Sequence, residues 1–350
     1  GEILLMCYEK LCVLAGAVPF CTWIGGAPKI WRCVIYYVIL LGGIQAALFL
    51  REKEECRVRR FLPRGICVAV VCVSILILGF RQRGELLITC LDIGQGDGIV
   101  IQLPGGKTVM VDGGSSSKKK VASYQILPYL KNQGISVVDA MLISHTDLDH
   151  ISGVQELLTL KEKHLTTLHI KNLLLPDWKA PEEVYYELED QAKRCGISVL
   201  RLHQGQKLRF GDGSLEILSP ETGAKGTDVN EEGIVMELRY GKFRGLFTGD
   251  IGVETEKKLL PKLDDVNFLK VGHHGSRYST CQEFLDKIKP ELAVISCSES
   301  NTYGHPSPET TARLEENGIQ TECTMKSGAV TVYTDGHSMR MKTFCNEKTA

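Results

Sequence analysis

The stretch VVDAMLISHTDLDHISG, Val137–Gly153, decides how this chain is read. Its first half is an apolar run of strand character that ends at Ile143 and Ser144. Within the next six residues come His145, Asp147, Asp149 and His150. The cluster is expected on a loop at the C-terminal edge of the strand, a common seat for catalytic groups. Two imidazoles and two carboxylates at one place repel or compete unless a cation neutralises the acids and engages the ring nitrogens. A divalent metal does both. The plain alternative is a solvated acidic turn with incidental histidines.

Three further segments repeat the pattern of a strand followed by a metal-type residue. LFTGDIG, Leu246–Gly252, ends in Asp250; KVGHHGS, Lys270–Ser276, places His273 and His274 before a tight turn at Gly275 and Ser276; NTYGHPS, Asn301–Ser307, carries His305. Each has an ordinary explanation by itself, since Gly-Asp pairs are common turns and a His before Pro is often structural. Adjacent histidines point in different directions, so at most one of His273 and His274 is a direct ligand. Together the four sites point to a binuclear metal hydrolase. Upstream, LDIGQGDGIVIQ and VMVDGGSS supply Asp92, Asp97 and Asp112, with glycines for sharp turns. Asp112 reads as a residue that orients a ligand or, equally, as a turn aspartate. Lys118–Lys120 read as a solvated charge run or a contact for an anionic substrate.

Around these motifs, short β-type runs alternate with helical segments from Glu85 onward. Strands are expected in LLITCL, GIVIQL, KTVMVDGG, VVDAMLIS, LHIKNLLLP, SLEILS, GIVMELRY, FRGLFTGD, VNFLKVG and LAVISC, and two more close the chain at Ala329–Thr334 and Ser338–Thr343. Helices are expected at Val121–Gln133 and Pro181–Cys195, from Val253, after Thr280, and near Pro308–Asn317. Strands paired with neighbours and helices interspersed give two sheets covered by helices, α/β/β/α.

The first 83 residues have another texture. They hold 11 Lys/Arg against 5 Asp/Glu, whereas the remainder holds 30 against 37. CVIYYVILLGGIQAALFL, Cys33–Leu50, and GICVAVVCVSILILGF, Gly65–Phe80, carry no charge and flank the basic loop REKEECRVRRFLPR. Two transmembrane helices are expected, at about 32–50 and 62–80, with the loop cytoplasmic and everything after Phe80 extracytoplasmic. Residues 1–30 are apolar but broken by Pro19, Gly25, Gly26 and Pro28, and read as interfacial, re-entrant or the end of a preceding span. The chain opens at Gly1 rather than Met, so it reads as a fragment or as the C-terminal end of something longer. Thirteen cysteines, seven before Arg83, show no zinc-finger spacing and are taken as small buried hydrophobes. The expected division is 1–83, membrane region, and 84–350, hydrolase domain.

As an ordered set, LDIGQGDG, VDGGSSS, SHTDLDHISG, FTGDI, LKVGHHGS and NTYGHPS resemble the metallo-β-lactamase-like domain at the C-terminus of ComEC competence proteins, membrane channels for DNA uptake. The resemblance covers roughly residues 85–345. It implies an αββα metallo-β-lactamase-like sandwich, here preceded by the two transmembrane helices. In the wider superfamily the pattern is His-x-His-x-Asp-His; here Asp147 stands for the second His, as is usual in the ComEC branch. The resemblance implies that His145 and Asp147 bind one metal and Asp149 and His150 the other, with Asp250 bridging and a His of the later motifs completing the second site. Among His273, His274 and His305 the choice stays open, with the His273–His274 pair favoured and His273 named as the ligand. The catalytic residues it implies are Asp149, His274 and His305, with His305 or the free member of the pair as proton donor. Asp92, Asp97, Asp112, Asn230 and Ser276 are expected around the ligands or against substrate. Asn230 stands where the superfamily often has a further His.

The cofactors expected are two divalent metal ions, Mn²⁺ favoured over Zn²⁺ because Asp for His makes the ligand set harder. The function expected is a metal-dependent nuclease or phosphodiesterase that degrades the non-transported strand during DNA uptake. Its partners would be single-stranded DNA, the membrane and other uptake proteins. The acidic balance of residues 84–350 counts against easy DNA binding. The alternatives are a hydrolase of another phosphodiester, such as a cell-wall phosphocholine ester, and a catalytically lapsed scaffold of a DNA channel.

Overall fold

The structure, a computed structural model, describes residues 2–16, 23–52, 62–79 and 84–345. Phe80, the end of the second expected span, Pro19 and residues 53–61 of the basic loop lie outside the described residues. The chain divides into two compact units, one of residues 1–82 with 129–136 and one of residues 83–128 with 137–350.

In the first unit, apolar runs without interior Pro fold as helices at Glu2–Gly16, Ile30–Glu52 and Leu62–Gly79. Pro63 falls in the first turn of the last helix, where a missing N–H costs nothing. Large apolar side chains of these helices point outward: Ile30, Val34, Val38, Leu41, Val68 and Leu76 are all exposed. Within the second helix, Ile30–Phe49 is 20 residues long and apolar enough to cross a membrane, about 30 Å at helical rise. Gly65–Gly79 is apolar but shorter than a span of that length.

The second unit inverts this arrangement. An eight-stranded sheet runs, edge to edge, through Met339–Thr343, Val330–Thr334, Leu86–Cys90, Ile99–Gln102, Thr108–Val111, Ala140–Leu142, Asn172–Pro176 and Ser198–Leu202. A seven-stranded sheet runs through Gln320–Cys323, Leu292–Ile295, Phe268–Lys270, Phe243–Phe247, Val235–Tyr240, Gly213–Ser219 and Lys207–Phe210. Period-two apolar residues from both sheets, among them Ile88, Ile101, Leu142, Met236, Phe268 and Val294, share one core. Each such side chain contributes roughly 1.5–3 kcal/mol by burial. Helices Val253–Leu259, Gln282–Ile288 and Pro308–Glu316 cover the outer face of the second sheet through Leu259, Phe284, Leu285 and Leu314. On the outer face of the first, Met110, Ile126 and Val154 meet around Gly113. The layering is the α/β/β/α that the sequence implies.

Three strands went unforeseen: Ser198–Leu202, Lys207–Phe210 and Gln320–Cys323. All three are sheet edges, half-covered and polar on the open face, where the apolar signal is weakest. A second difference matters more. The motif after Ala140–Leu142 does not stay on a loop, because a helix begins at Leu148 and runs to Glu162, putting Asp149 and His150 in its first turn.

Candidate metal centre

Residues 108–111, 140–142, 243–247, 268–270 and 292–295 are strands with parallel neighbours, and five loops leave their carboxyl ends. That edge is where open α/β sheets collect ligand-binding groups. The loops carry Asp112, the 145–150 cluster, Asp250, the 273–274 pair and His305. The two sheets are stitched together there. Ile234 of the second sheet donates its N–H to Ser144 O of the first at 2.8 Å, while among the first sheet's own connections Asp97 donates its N–H to Asp149 O at 3.0 Å. Gly96, at φ 145°, has no room for a Cβ, which would strike the carbonyl oxygens of Gly114 and Asp149. LDIGQGDG is thus the backbone seat on which the first turn of helix 148–162 rests.

Hydrogen bonds fix the ring nitrogens of three buried histidines. Ser144 Oγ donates to Asp112 Oδ2 at 2.7 Å and lies 3.0 Å from His145 Nδ1. With its one hydrogen committed, the hydroxyl can only accept from His145, so that ring carries hydrogen on Nδ1. His150 Nδ1 lies 2.9 Å from the same Asp112 oxygen, and His274 Nδ1 lies 3.0 Å from Ser296 O. Each ring therefore turns Nε2 inward, and none of the three Nε2 atoms has a hydrogen-bond partner among the described residues. Asp250 divides its oxygens between two of them: Oδ1 is 3.3 Å from His150 Nε2 and Oδ2 is 3.4 Å from His274 Nε2. Asp149 Oδ2 is 3.3 Å from His274 Nε2.

Burial pushes His145 down to about 3, with neighbouring His150 adding to the effect. Burial alone would do the same to His150 and His274. The carboxylates outweigh it: Asp250 and Asp112 hold His150 well above the ordinary imidazole value, and Asp250 and Asp149 raise His274 to about 10. Desolvation opposes the Asp250 charge, yet His274 and His150 hold that carboxyl well below its usual range. The cluster thus demands positive charge, and protons on His150 and His274 meet that demand in the metal-free protein. The donor set fits divalent ions. Unpartnered Nε2 atoms converge with carboxylate oxygens within 4.8 Å in the groups His145, His150, Asp250 and Asp149, His150, His274. Each ring is oriented from behind by a carboxylate, hydroxyl or carbonyl, as metal-binding histidines are.

Other expected residues fall at varied distances from this cluster. Asp147 is half-buried, with Oδ2 3.7 Å from His145 Nε2. Geometry exchanges the places expected for the His pair: His274 is buried and enters the cluster, whereas His273 turns toward His305, ring centroids 5.8 Å apart. Both residues have positive φ, 49° and 53°, and this tight turn sends successive side chains to opposite sides. His305 is half-buried with Nδ1 unpartnered, and burial, then His274 and His273, push it down to about 4. Asn230 is half-buried with Oδ1 unpartnered. Asp92 pairs with Lys118 at 3.1 Å on the surface. Ser276 is spent on its own turn, its Oγ accepting from Tyr278 N at 3.3 Å. Sequence reasoning missed Ser144, for which no signal exists, and Lys270, whose signal was a lone charge inside the apolar run VNFLKVG.

This fold and this edge-on cluster agree with the comparison to known families. The chain belongs to the metallo-beta-lactamase superfamily, whose family model matches residues 91–299. Within that class it bears out the resemblance to ComEC competence proteins. It is similar to ComE operon protein 3 of Bacillus subtilis (strain 168), 28% identical over 281 residues, 76% of this chain and 35% of the relative. It is similar also to Recombination protein 2 of Haemophilus influenzae, 30% identical over 266 residues, 76% of this chain and 31% of the relative. The chain spans about a third of the length of these curated relatives. Among solved structures, the metallo-beta-lactamase fold protein YhfI from Bacillus subtilis aligns with a TM-score of 0.49 at 12% identity, over 71% of this chain and 100% of that one.

Proposed function

We propose that this chain is part of a membrane DNA-uptake protein whose hydrolase unit is a metal-dependent phosphodiesterase acting on the non-transported DNA strand. The observation that carries the hydrolase reading is the convergence of three buried, unpartnered Nε2 atoms on Asp250 and Asp149. The DNA reading rests on the competence relatives.

In this proposal His145 and Asp147 hold one divalent ion, Asp149, His150 and His274 hold the other, and Asp250 spans both. When bound, a pair of such ions supplies Lewis acidity and an activated water for in-line attack at phosphorus. The chain's own residues do the rest. Asp112 and Ser144 lock the tautomers of His145 and His150, and Ser296 O does so for His274. His305, beside the pair, is held unprotonated near neutral pH by burial, so its role in this proposal is that of a substrate contact rather than of the proton donor. Asp147 in place of a second His makes the donor set harder, which favours Mn²⁺ over Zn²⁺. The helices at Ile30–Glu52 and Leu62–Gly79 are proposed as spans flanking a cytoplasmic basic loop, which puts the hydrolase unit outside the membrane.

The test uses the full chain in detergent, stripped of metal, with end-labelled single-stranded DNA and added Mn²⁺ or Zn²⁺. Cleavage that needs metal and disappears in Asp250→Ala is expected. Two bound ions without DNA cleavage, but with turnover of a small phosphodiester, would sink the nuclease role. Absence of bound metal would leave a scaffold.

A further inference from the structure

Lys270 is 1% exposed and Asp97 1% exposed, a fully buried ion pair beside the candidate metal centre. Lys270 Nζ donates to Asp97 Oδ2 at 2.8 Å and to Val271 O at 3.1 Å; Oδ1 also lies 2.8 Å from the ammonium but has no hydrogen-bond partner among the described residues. Burying two charges is costly and often contributes nothing net to stability, so the pair calls for another explanation.

Its connections supply one. Asp97 belongs to the loop after Leu86–Cys90 in the first sheet, and Lys270 ends Phe268–Lys270 in the second. The backbone of Asp97 donates to Asp149 O at 3.0 Å and accepts from Gly114 N at 3.1 Å, which fastens it to the turn holding Asp149 and His150. Lys270 is followed, two residues on, by the turn Gly272–Gly275 that presents His274. The ion pair therefore ties the seat of Asp149 directly to the strand that delivers His274, behind the Asp149–His274 contact of 3.3 Å inside the cluster. The Asp97 carboxylate lies 3.9 Å from His274 Nδ1 and close to the Asp250 and His274 atoms, and the ammonium holds it through Oδ2.

We infer that Lys270 and Asp97 act as positioning residues: the pair sets the spacing between the two halves of the metal centre. This rests on the metal centre proposed above. An outer partner of this kind changes metal affinity by about 10–100-fold when removed.

The experiment measures Mn²⁺ binding by calorimetry and the Mn²⁺ spin-coupling signal by electron paramagnetic resonance on the full chain. The variants are Lys270→Met, Asp97→Asn and the double Lys270→Met/Asp97→Asn, each also followed by thermal unfolding. The double variant removes both charges together, so it is expected to fold cooperatively. Its Mn²⁺ affinity is expected to fall about 10–100-fold, with the coupled two-ion signal weakened or replaced by that of isolated ions. A double variant that folds and shows wild-type affinity and coupling would overturn the inference. So would one that unfolds as readily as the singles, because the pair would then serve the fold rather than the site. Failure of the wild-type chain to bind Mn²⁺ at all would instead remove the metal centre and this inference with it.

Discussion

The two halves of the candidate centre are built in different ways. His145, Asp147, Asp149 and His150 come from one strand-to-helix junction, six residues long. Asp250 and His274 come from two separate loops of the opposite sheet, 24 residues apart and some 100 residues downstream. Local geometry presets the first half, since helix pitch and hydrogen bonds to Asp112 aim the rings. The second half has no such local guide and depends on strands 243–247 and 268–270 lying side by side, in the register Phe247 to Lys270. A half-site of the first kind tolerates small shifts between the sheets. One of the second kind does not.

The sharpest way to break this comparison is Asp250→Ala. Because Asp250 faces both His150 and His274, the substitution is expected to lower bound metal from two ions per chain to one or none. Elemental analysis checks this, and retention of two ions would count against Asp250 as the spanning residue. Next comes the His pair. His274→Ala is expected to weaken Mn²⁺ binding about 10–100-fold, on the scale by which metal-site residues alter affinity, whereas His273→Ala should change it only a few-fold. Calorimetry on both variants decides the matter, and the reverse order would restore His273 as the ligand. Asp112→Asn touches the local half alone. It leaves the carbonyl acceptor but loses charge, so about a 10-fold loss in affinity is expected.

The pH dependence sharpens the contrast. Burial opposes the charge on His274, but Asp250 and Asp149 raise it to about 10 in the metal-free protein. An entering cation must displace that proton. Affinity for Mn²⁺ should therefore keep climbing as pH rises past 7 toward about 10, rather than levelling near the ordinary imidazole value of ~6.5. Asp149→Asn removes one raising charge and should bring the plateau to lower pH. A flat profile above neutrality would contradict the electrostatics described here. The smallest effect belongs to Asp92→Ala. Its exposed pair with Lys118 is worth about 0–1 kcal/mol, so urea unfolding should barely move and metal binding should not.

Legibility in the sequence followed the same division. The histidines and aspartates of 145–150 stood out because four metal-type side chains in six residues have few other uses. The sandwich was legible because interior strands are apolar throughout. The edge strands at 198–202, 207–210 and 320–323 were not, since one open side lets polar residues in. The helix start at Leu148 was hidden by the polarity of its first turn, where Asp149 and His150 face inward instead of toward solvent. The apolar character of the first unit's helices was equally plain from uncharged runs, and the exposed Ile30, Val38 and Leu76 follow directly from them.

By itself the sequence determined the class of chemistry, the layered fold and the loops that carry the chemistry, because residue type and apolar period act locally. Tertiary structure alone decided that His274 rather than His273 turns inward, that Ser144 fixes the tautomer of His145, and that Asp97 is held by Lys270. These outcomes depend on which side of a tight turn a ring leaves from and on which loop the opposing sheet brings within 3 Å. No spacing along the chain encodes a distance between residues 173 positions apart.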